Sequence, residues 1–428
     1  MAWEESMKSR FTGMFQIKNS FFLVLGLVQA MIIVLATLMT RLTLHSIDAY
    51  LTPAAYDDLE HRLILSAVVI SIICIAITGV VFTLLYRGIR RPLLALVAET
   101  EKIKNLDLKD KVEIETSLVE FEKLICTISE MKTWLQSFQK YVPENVLREL
   151  IETNQEARMG GELKELTVFF SDIVGFTAIT EKMQPRELTQ QLSEYFKIVT
   201  SIVMEHKGTV DKYIGDTVMA FWGAPVDLEE HALLACRAAL ACRSKLDELC
   251  IQWKKQGKHE FHTRIGLSTG EMIVGNFGSD QRLNYSVLGD DVNLASRLEG
   301  LNKLYSTSIL ISEATYRRCM TKVEARFIDL LTIKGKAEPV RIYELIGERH
   351  NISPDQKESL RLYWRAIDRY LALDWDKALN FFRELQVREP GDAVTTLYIE
   401  RCQRFKETPP EPEWGGNHSY TTKMFTRK

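Results

Sequence analysis

The sequence predicts a mixed α/β (α+β) protein in which one α+β domain is tethered to two long apolar helices and followed by a small helical tail. Three observations predict it. Phe21 to Thr40 and Leu63 to Tyr86 are runs of 20 and 24 residues without a charge. Phe121, Leu124, Ile128, Met131, Leu135, Phe138 and Val142 then step 3-4-3-4-3-4, the spacing of a helical heptad seam. Beyond residue 160, β-branched and aromatic runs end in Gly-Asp or Asp-x-x-Gly turns and alternate with helical patterns. The 428 residues allow about two to four domains. Lys and Arg total 54 against 57 Asp and Glu, a net charge of −3 that argues against a broadly basic nucleic-acid binder. The seven cysteines are scattered without CxxC pairs, so neither a disulfide framework nor a zinc pattern is legible.

At a helical rise of ~1.5 Å per residue the two charge-free runs reach about 30 and about 36 Å, enough to cross a bilayer. Residues 21–86 therefore read as a membrane hairpin with an extracytoplasmic loop at 41–62, and residues 1–20 as a cytoplasmic N-terminus. Lys8, Arg10 and Lys18 precede the first run and Arg87, Arg90 and Arg91 follow the second, whereas the loop carries Asp48, Asp57, Asp58 and Glu60. Cation placement thus puts both termini in the cytoplasm and the protein in the cell (inner) membrane, with the lipid bilayer as a partner. The loop is too short for a folded extracellular sensor, which leaves the membrane helices or an unidentified membrane or protein regulator to receive a signal.

Arg91-Pro92 opens a helical stretch with Leu93, Leu96, Thr100 and Ile103 on one stripe, and a polar connector spans Asn105 to Glu115. With the heptad helix, residues 87–139 resemble a HAMP linker, which implies a parallel helical dimer. A single amphipathic helix packed on its own domain is the alternative. Residues 140–162, with Lys140-Tyr141-Val142-Pro143 and a helix from Glu144 to Ile151, precede the α+β region, and Gly160-Gly161 reads as a boundary loop.

Three stretches carry chemistry. Leu166-Thr-Val-Phe-Phe-Ser-Asp-Ile-Val-Gly-Phe-Thr177 reads as a buried strand ending at Asp172, then a turn with Gly175 and a helix. Backbone N–H groups after such a strand suit a polyphosphate. Gly208 to Gly223 reads as a hairpin with Gly215-Asp216 as its two-residue turn. A structural role in that turn would explain Asp216, but its tip position would also let it meet Asp172, and two converging carboxylates suit Mg²⁺ or Mn²⁺. Asn284 to Glu299 begins as a strand and turns at Gly289-Asp290 into a helix, where Asn293 and Arg297 lie four apart on one face. A neutral donor beside a guanidinium suits an anionic phosphoryl group, although either alone would suit a solvated helix face.

Together these stretches resemble the catalytic domain of class III adenylyl and guanylyl cyclases, over about Leu163 to Leu345 and with a domain at 163–348. The segment 140–162 resembles that family's transducer element. The resemblance implies a ferredoxin-like fold that works as a homodimer, with each active site shared between protomers. It implies two metal ions, Mg²⁺ or Mn²⁺, on Asp172, Asp216 and the Ile173 backbone. It places Gly175, Phe176, Thr177, Arg264 and Lys334 on the triphosphate, with Lys336 as a stand-in for Lys334. It makes Lys212 and Ser286 the base readers, and Asn293 and Arg297 the residues that orient the ribose and stabilise the transition state. The implied reaction is attack of the ribose 3′-hydroxyl on the α-phosphorus, with pyrophosphate leaving.

Adenine offers an acceptor at N1 and a donor at its 6-amino group. Lys212 only donates and Ser286 can accept, so ATP is the expected substrate and 3′,5′-cyclic AMP the product. Many relatives carry Asp where Ser286 stands, so the chain resembles a subgroup with a hydroxyl residue there. Two alternatives stay open: a guanylate cyclase, and a catalytically silent receptor that only binds nucleotide. Residues 355–406 are helical in pattern, and Leu362, Ala366, Ala378, Phe382 and Pro390 resemble one tetratricopeptide-like repeat. Because one repeat cannot bury its own face, two helices packing on the catalytic domain or the partner protomer are as good a reading as a protein-docking module. Residues 407–428 are expected to lie over the surface or to be disordered.

Overall fold

The computed structural model of the chain describes residues 26, 29–43, 45–46, 52–116, 118–153, 158–332, 338–410, 414 and 417–419. It divides into two compact units, Met1–Ser137 and Phe138–Lys428.

The first unit is helical. Helix α1 (Gln29–Thr43) and helix α2 (Pro53–Leu85) line a common groove through Val34, Thr37 and Leu38 on one side and Ile64, Val68 and Ser71 on the other. Most of the first charge-free run before Gln29 lies outside the described residues. Among the described residues one helix is long and apolar enough to cross a membrane: Asp57–Lys104, 48 residues with none of its apolar window buried. The stretch expected as the loop 41–62 is helical from Pro53 onward, because a proline at the first helical position fits the fixed backbone angle a helix start requires. A π-helical turn, Tyr86–Arg90, joins α2 to α3 (Arg91–Lys104), and α4 (Val119–Phe138) follows the connector.

One expectation for this unit is corrected, and α3 adds a feature of its own. Within the single chain α3 buries Pro92, Leu96 and Glu99, while Leu93 and Thr100 of the expected stripe are exposed. Glu99 can occupy an interior position because Lys102 (2.7 Å) and Lys132 of α4 (3.1 Å) neutralise it, and their hydrogen bonds hold its carboxyl below the usual range. The heptad helix ends at Phe138, so Val142 is not part of it. Pro143 is the reason, since a residue before proline is pushed out of the helical region.

The second unit opens with α5 (Glu144–Thr153). Strand β1 (Gly160–Ile173) leads to α6 (Phe176–Thr180) and α7 (Pro185–Glu205). The hairpin β2 (Thr209–Ile214) and β3 (Thr217–Trp222) precedes α8 (His231–Lys255). A second hairpin, β4 (Thr263–Ser279) and β5 (Arg282–Leu288), runs into α9 (Asp290–Tyr305). Then come β6 (Ile309–Ser312), α10 (Glu313–Cys319), β7 (Val323–Thr332) and β8 (Val340–Glu348). Helices α11 (Pro354–Leu371), α12 (Trp375–Arg388) and α13 (Ala393–Glu407) and strand β9 (Asn417–Ser419) complete the described chain.

The nine strands form one sheet in the order β2-β3-β1-β4-β6-β8-β7-β9, with β5 added to β4. β1 sits centrally and is buried on both faces, which is why Leu166 to Phe170 reads as a continuous apolar run. Phe169 and Ile173 face the large core with α7, α8 and α9, while Leu166, Val168 and Phe170 face a smaller core with Met272 and Val287. Gly160 and Gly161 are strand rather than boundary loop: they pair with Asn276 and Gly275, and a Cβ on Gly275 would lie 2.2 Å from the Gly160 carbonyl oxygen.

The tail is three helices, not two, and its core is continuous with that of the sheet. Tyr363 and Tyr398 donate to the backbone carbonyls of Phe327 (2.6 Å) and Ile328 (2.9 Å) in β7. Arg326 of β7 grips Asp392 with two hydrogen bonds of 2.8 Å, and Arg401 reaches the buried Asp329 at 2.7 Å. The surface that a single repeat lacks is thus supplied by β7. Part of the final segment is also ordered, because β9 pairs in parallel with Leu330 to Thr332 along the open edge of β7.

Candidate active site

Strand register builds the acidic centre. Asp172 and Arg264 are direct partners in the β1–β4 ladder, so their side chains share a face and meet at 3.3 Å. Because β3 pairs with β1 on its other side, the β2–β3 turn arrives at the end of β1. Thr217 donates to Asp172 Oδ1 at 2.9 Å, and the Ile173 amide donates to Asp216 Oδ2 at 3.1 Å. Asp172 and Asp216 therefore lie side by side. Burial, and then the neighbouring Asp172 carboxylate, push Asp216 up to about 6.

Glu299, which the motif analysis left without a role, completes this group. Helix α9 lies directly on β4 because Gly266 leaves it room: a Cβ there would be 2.2 Å from the Ala295 carbonyl oxygen and 2.3 Å from the Glu299 nitrogen. The inward side of α9 carries Glu299 to within 3.2 Å of Arg264 Nε. The contact is an ion pair without a linear hydrogen bond, so both buried atoms keep bonding capacity. Burial first, and then Asp172, raise Glu299 to about 7, with Arg264 opposing the rise. The sequence offered only a carboxylate at the end of the third motif, and its burial follows from the packing of α9 on β4.

A second cluster is separate. Lys212 of β2 donates to Ser286 of β5 at 3.1 Å. Ser286 in turn donates to Asp211 at 2.5 Å, and Asp211 lies 3.2 Å from Lys212. Asp211 also had no place in the sequence reading. Burial pushes its carboxyl up, while Ser286 and Lys212 pull it back. Asn293 and Arg297 are exposed on the outward face of α9, opposite the face that seats Glu299.

Gly175 caps α6 in the left-handed region at φ 69°, where a side chain would be strained. Phe176 turns its ring into the core against Phe261, leaving its backbone at the helix start with that of Thr177. Lys334 and Lys336 lie outside the described residues.

The acidic centre fits a divalent cation. Two adjacent carboxylates, one with a raised pKa, lie beside a buried oxygen of Glu299 that has no hydrogen-bond partner. Among the described residues no cluster of three or more His, Cys, Asp or Glu is arranged to hold a metal by itself. Mg²⁺ is commonly bound through one or two carboxylates, the number that Asp172 and Asp216 supply, with the remaining ligands from phosphate and water.

The family described as "Adenylate and Guanylate cyclase catalytic domain" matches residues 160–347. Adenylate cyclase 1 of Rhizobium meliloti (strain 1021) is 33% identical over 297 residues, 69% of this chain and 44% of that protein. The adenylate cyclase of Anabaena cylindrica is 32% identical over 271 residues, 59% of this chain and 54% of that protein. The chain thus spans about half the length of these curated relatives. A solved structure, the adenylyl cyclase CyaB from P. aeruginosa, is 37% identical over 46% of this chain and 100% of that one, with a TM-score of 0.42. Residues 160–347 of this chain therefore belong to the class III adenylate and guanylate cyclase catalytic domain family.

Proposed function

We propose that the chain is a membrane-anchored, homodimeric adenylate cyclase that converts ATP into 3′,5′-cyclic AMP and pyrophosphate. The observation that carries the choice of ATP is the Lys212–Ser286 pair, 3.1 Å apart, in which an ammonium that only donates stands beside a hydroxyl oxygen that can accept. The adenine edge offers the complementary pattern; the guanine edge reverses it. The hydrogen bonds of this pair run to Asp211 and those of the acidic centre to Thr217 and the Ile173 amide, and two groups without a shared partner support an active site completed by a second protomer.

Asp172 and Asp216 would hold the metal ions, with the Ile173 backbone beside them. Bound there, Mg²⁺ or Mn²⁺ would neutralise the triphosphate and lower the pKa of the attacking hydroxyl. Arg264, held between Asp172 and Glu299, places a fixed positive charge beside this centre for the triphosphate. The backbone amides at Gly175, Phe176 and Thr177 would bind the same ligand, and Lys334 is assigned to it by its place in the motif. Asn293 orients the ribose and Arg297 stabilises charge developing on the α-phosphoryl group, both acting from the exposed face of α9.

The apolar Asp57–Lys104 helix supports membrane anchoring, and the exposed apolar side chains of α3 and α4 support a HAMP-like dimer. Together these elements would set how two catalytic domains are held against each other. Incubating the purified full-length chain with ATP or GTP and Mn²⁺ tests the reading: cyclic AMP should form in preference to cyclic GMP. Lys212→Glu with Ser286→Cys should lower ATP turnover, and unchanged ATP kinetics in that variant would refute the base assignment.

A further inference from the structure

We propose that Asp211 is a positioning residue that sets base preference through Ser286, by holding the serine proton so that the serine oxygen can only accept. The inference rests on the adenylate cyclase reading and assigns a role to a residue outside the motif set.

The local backbone makes the arrangement. Val210 pairs with Ala220 and Lys212 with Met219, so Asp211 is the extra residue of a β-bulge in β2. In a regular strand, neighbours 211 and 212 would point to opposite faces. A bulge breaks that alternation and re-aims a side chain. Here Asp211 and Lys212 both reach Ser286.

Proton counting then fixes the direction of each bond. The Asp211 side chain is 2% exposed and that of Lys212 42%, so the carboxylate is sealed behind while the ammonium faces outward. A serine hydroxyl has one proton and two lone pairs. The proton goes to Asp211 over 2.5 Å, and one lone pair takes a hydrogen from Lys212. One lone pair of Ser286 remains. Lys212 has three donors, and after Asp211 and Ser286 one is left.

An approaching base therefore meets one donor and one acceptor that cannot reverse. Adenine satisfies both, through N1 and its 6-amino group. Guanine would place its O6 against an oxygen with no proton to give and its N1–H against an ammonium. This is discrimination by a built-in repulsive contact. Without Asp211 the hydroxyl is free to rotate and donate to O6, so Ser286 alone would read the base loosely.

The test compares binding of 3′-deoxy-ATP and 3′-deoxy-GTP, which lack the attacking hydroxyl, by calorimetry on the detergent-solubilised full chain. Wild type should prefer the adenine nucleotide. Asp211→Asn should reduce that preference about tenfold or more, the scale of leaving one buried polar group unsatisfied, chiefly by gaining affinity for the guanine nucleotide. Asp211→Asn with Ser286→Asp should restore it, because an acceptor-only carboxylate then stands at the base itself. Ser286→Ala, which keeps the Asp211–Lys212 pair, should weaken adenine binding and, by removing the oxygen that opposes O6, raise guanine binding. An unchanged preference in Asp211→Asn or in Ser286→Ala overturns the inference. So does an equal loss of both nucleotides in Asp211→Asn, which marks a merely structural role. A wild type that prefers the guanine nucleotide overturns the adenylate reading itself and the inference with it.

Discussion

Adding one methyl group at Gly266 should displace the helix that carries three residues of the proposed site. In Gly266→Ala the new Cβ would stand 2.2 Å from the Ala295 carbonyl oxygen and 2.3 Å from the Glu299 nitrogen, both backbone atoms that no rotamer change can move. Ordinary contact begins near 3.4 Å, so α9 must retreat from β4 by roughly 1 Å. Overpacking of this kind costs about 1–3 kcal/mol. For a unit of this size that lowers Tm by roughly 2–12 °C. The retreat moves Glu299 away from Arg264 and shifts Asn293 and Arg297 with it. A displacement of ~1 Å in a catalytic group costs on the order of 100-fold in rate. Thermal unfolding and cyclic AMP formation at saturating ATP read the two effects separately. A variant with wild-type Tm would refute the packing argument. A lowered Tm with undiminished kcat would refute the claim that the seat of α9 positions the chemistry.

The remaining predictions concern charge and the tail. With metal chelated, Asp216 has a folded-state pKa of about 6 against an ordinary 3.8, so its contribution to stability is present below 3.8 and lost as pH rises through about 6. Asp216→Asn should therefore gain Tm over wild type between about pH 4 and about pH 8; parallel curves would count against it. Glu299→Gln should remove a second loss of the same sign, between its ordinary 4.5 and about 7, seen as a flatter Tm–pH curve in the same window. Arg401→Ala removes the cationic partner of Asp329, whose side chain is 1% exposed and keeps its bond from Tyr305, and should destabilise the second unit by about 3–5 kcal/mol in chemical denaturation. Truncation after Glu348 should yield insoluble protein, because Leu362, Ala366, Tyr370, Phe382 and Tyr398 belong to the same core as Phe327 and Leu331; a soluble, active truncation would show the tail to be separable.

The catalytic motifs were legible because each is written in local turn chemistry. Gly215-Asp216 fixes a two-residue hairpin between Ile214 and Thr217, and Gly289 marks the passage from β5 into α9. What stayed hidden depends on pairing across the sheet. The sequence does not announce that Asp211 sits in a bulge, because that is decided by which residues of β3 oppose it. Nor does it show that Glu299 faces Arg264, which follows from the bare Cα of Gly266. Glu99 misled the apolar pattern of α3 for a related reason, since its partner Lys132 lies 33 residues away. The tail's two readings stay level in the sequence because periodicity reveals an apolar face but not what covers it, and here the cover is β7.

On the proposed function, the π-helical turn at Tyr86–Arg90 would set the phase in which a signal is passed along the helix. It lies within one continuous helix, Asp57–Lys104, a rod of about 70 Å. A π turn accommodates one residue more than α geometry, so the side chains beyond it are out of phase with those before it by about 100°. Deleting one residue from this turn resets the phase, and successive single-residue insertions step it onward. The turn therefore acts as a natural vernier between the apolar segment and Leu96. A graded series of such length variants separates torque along the rod from axial thrust, since phase returns after about 18 residues whereas length only accumulates.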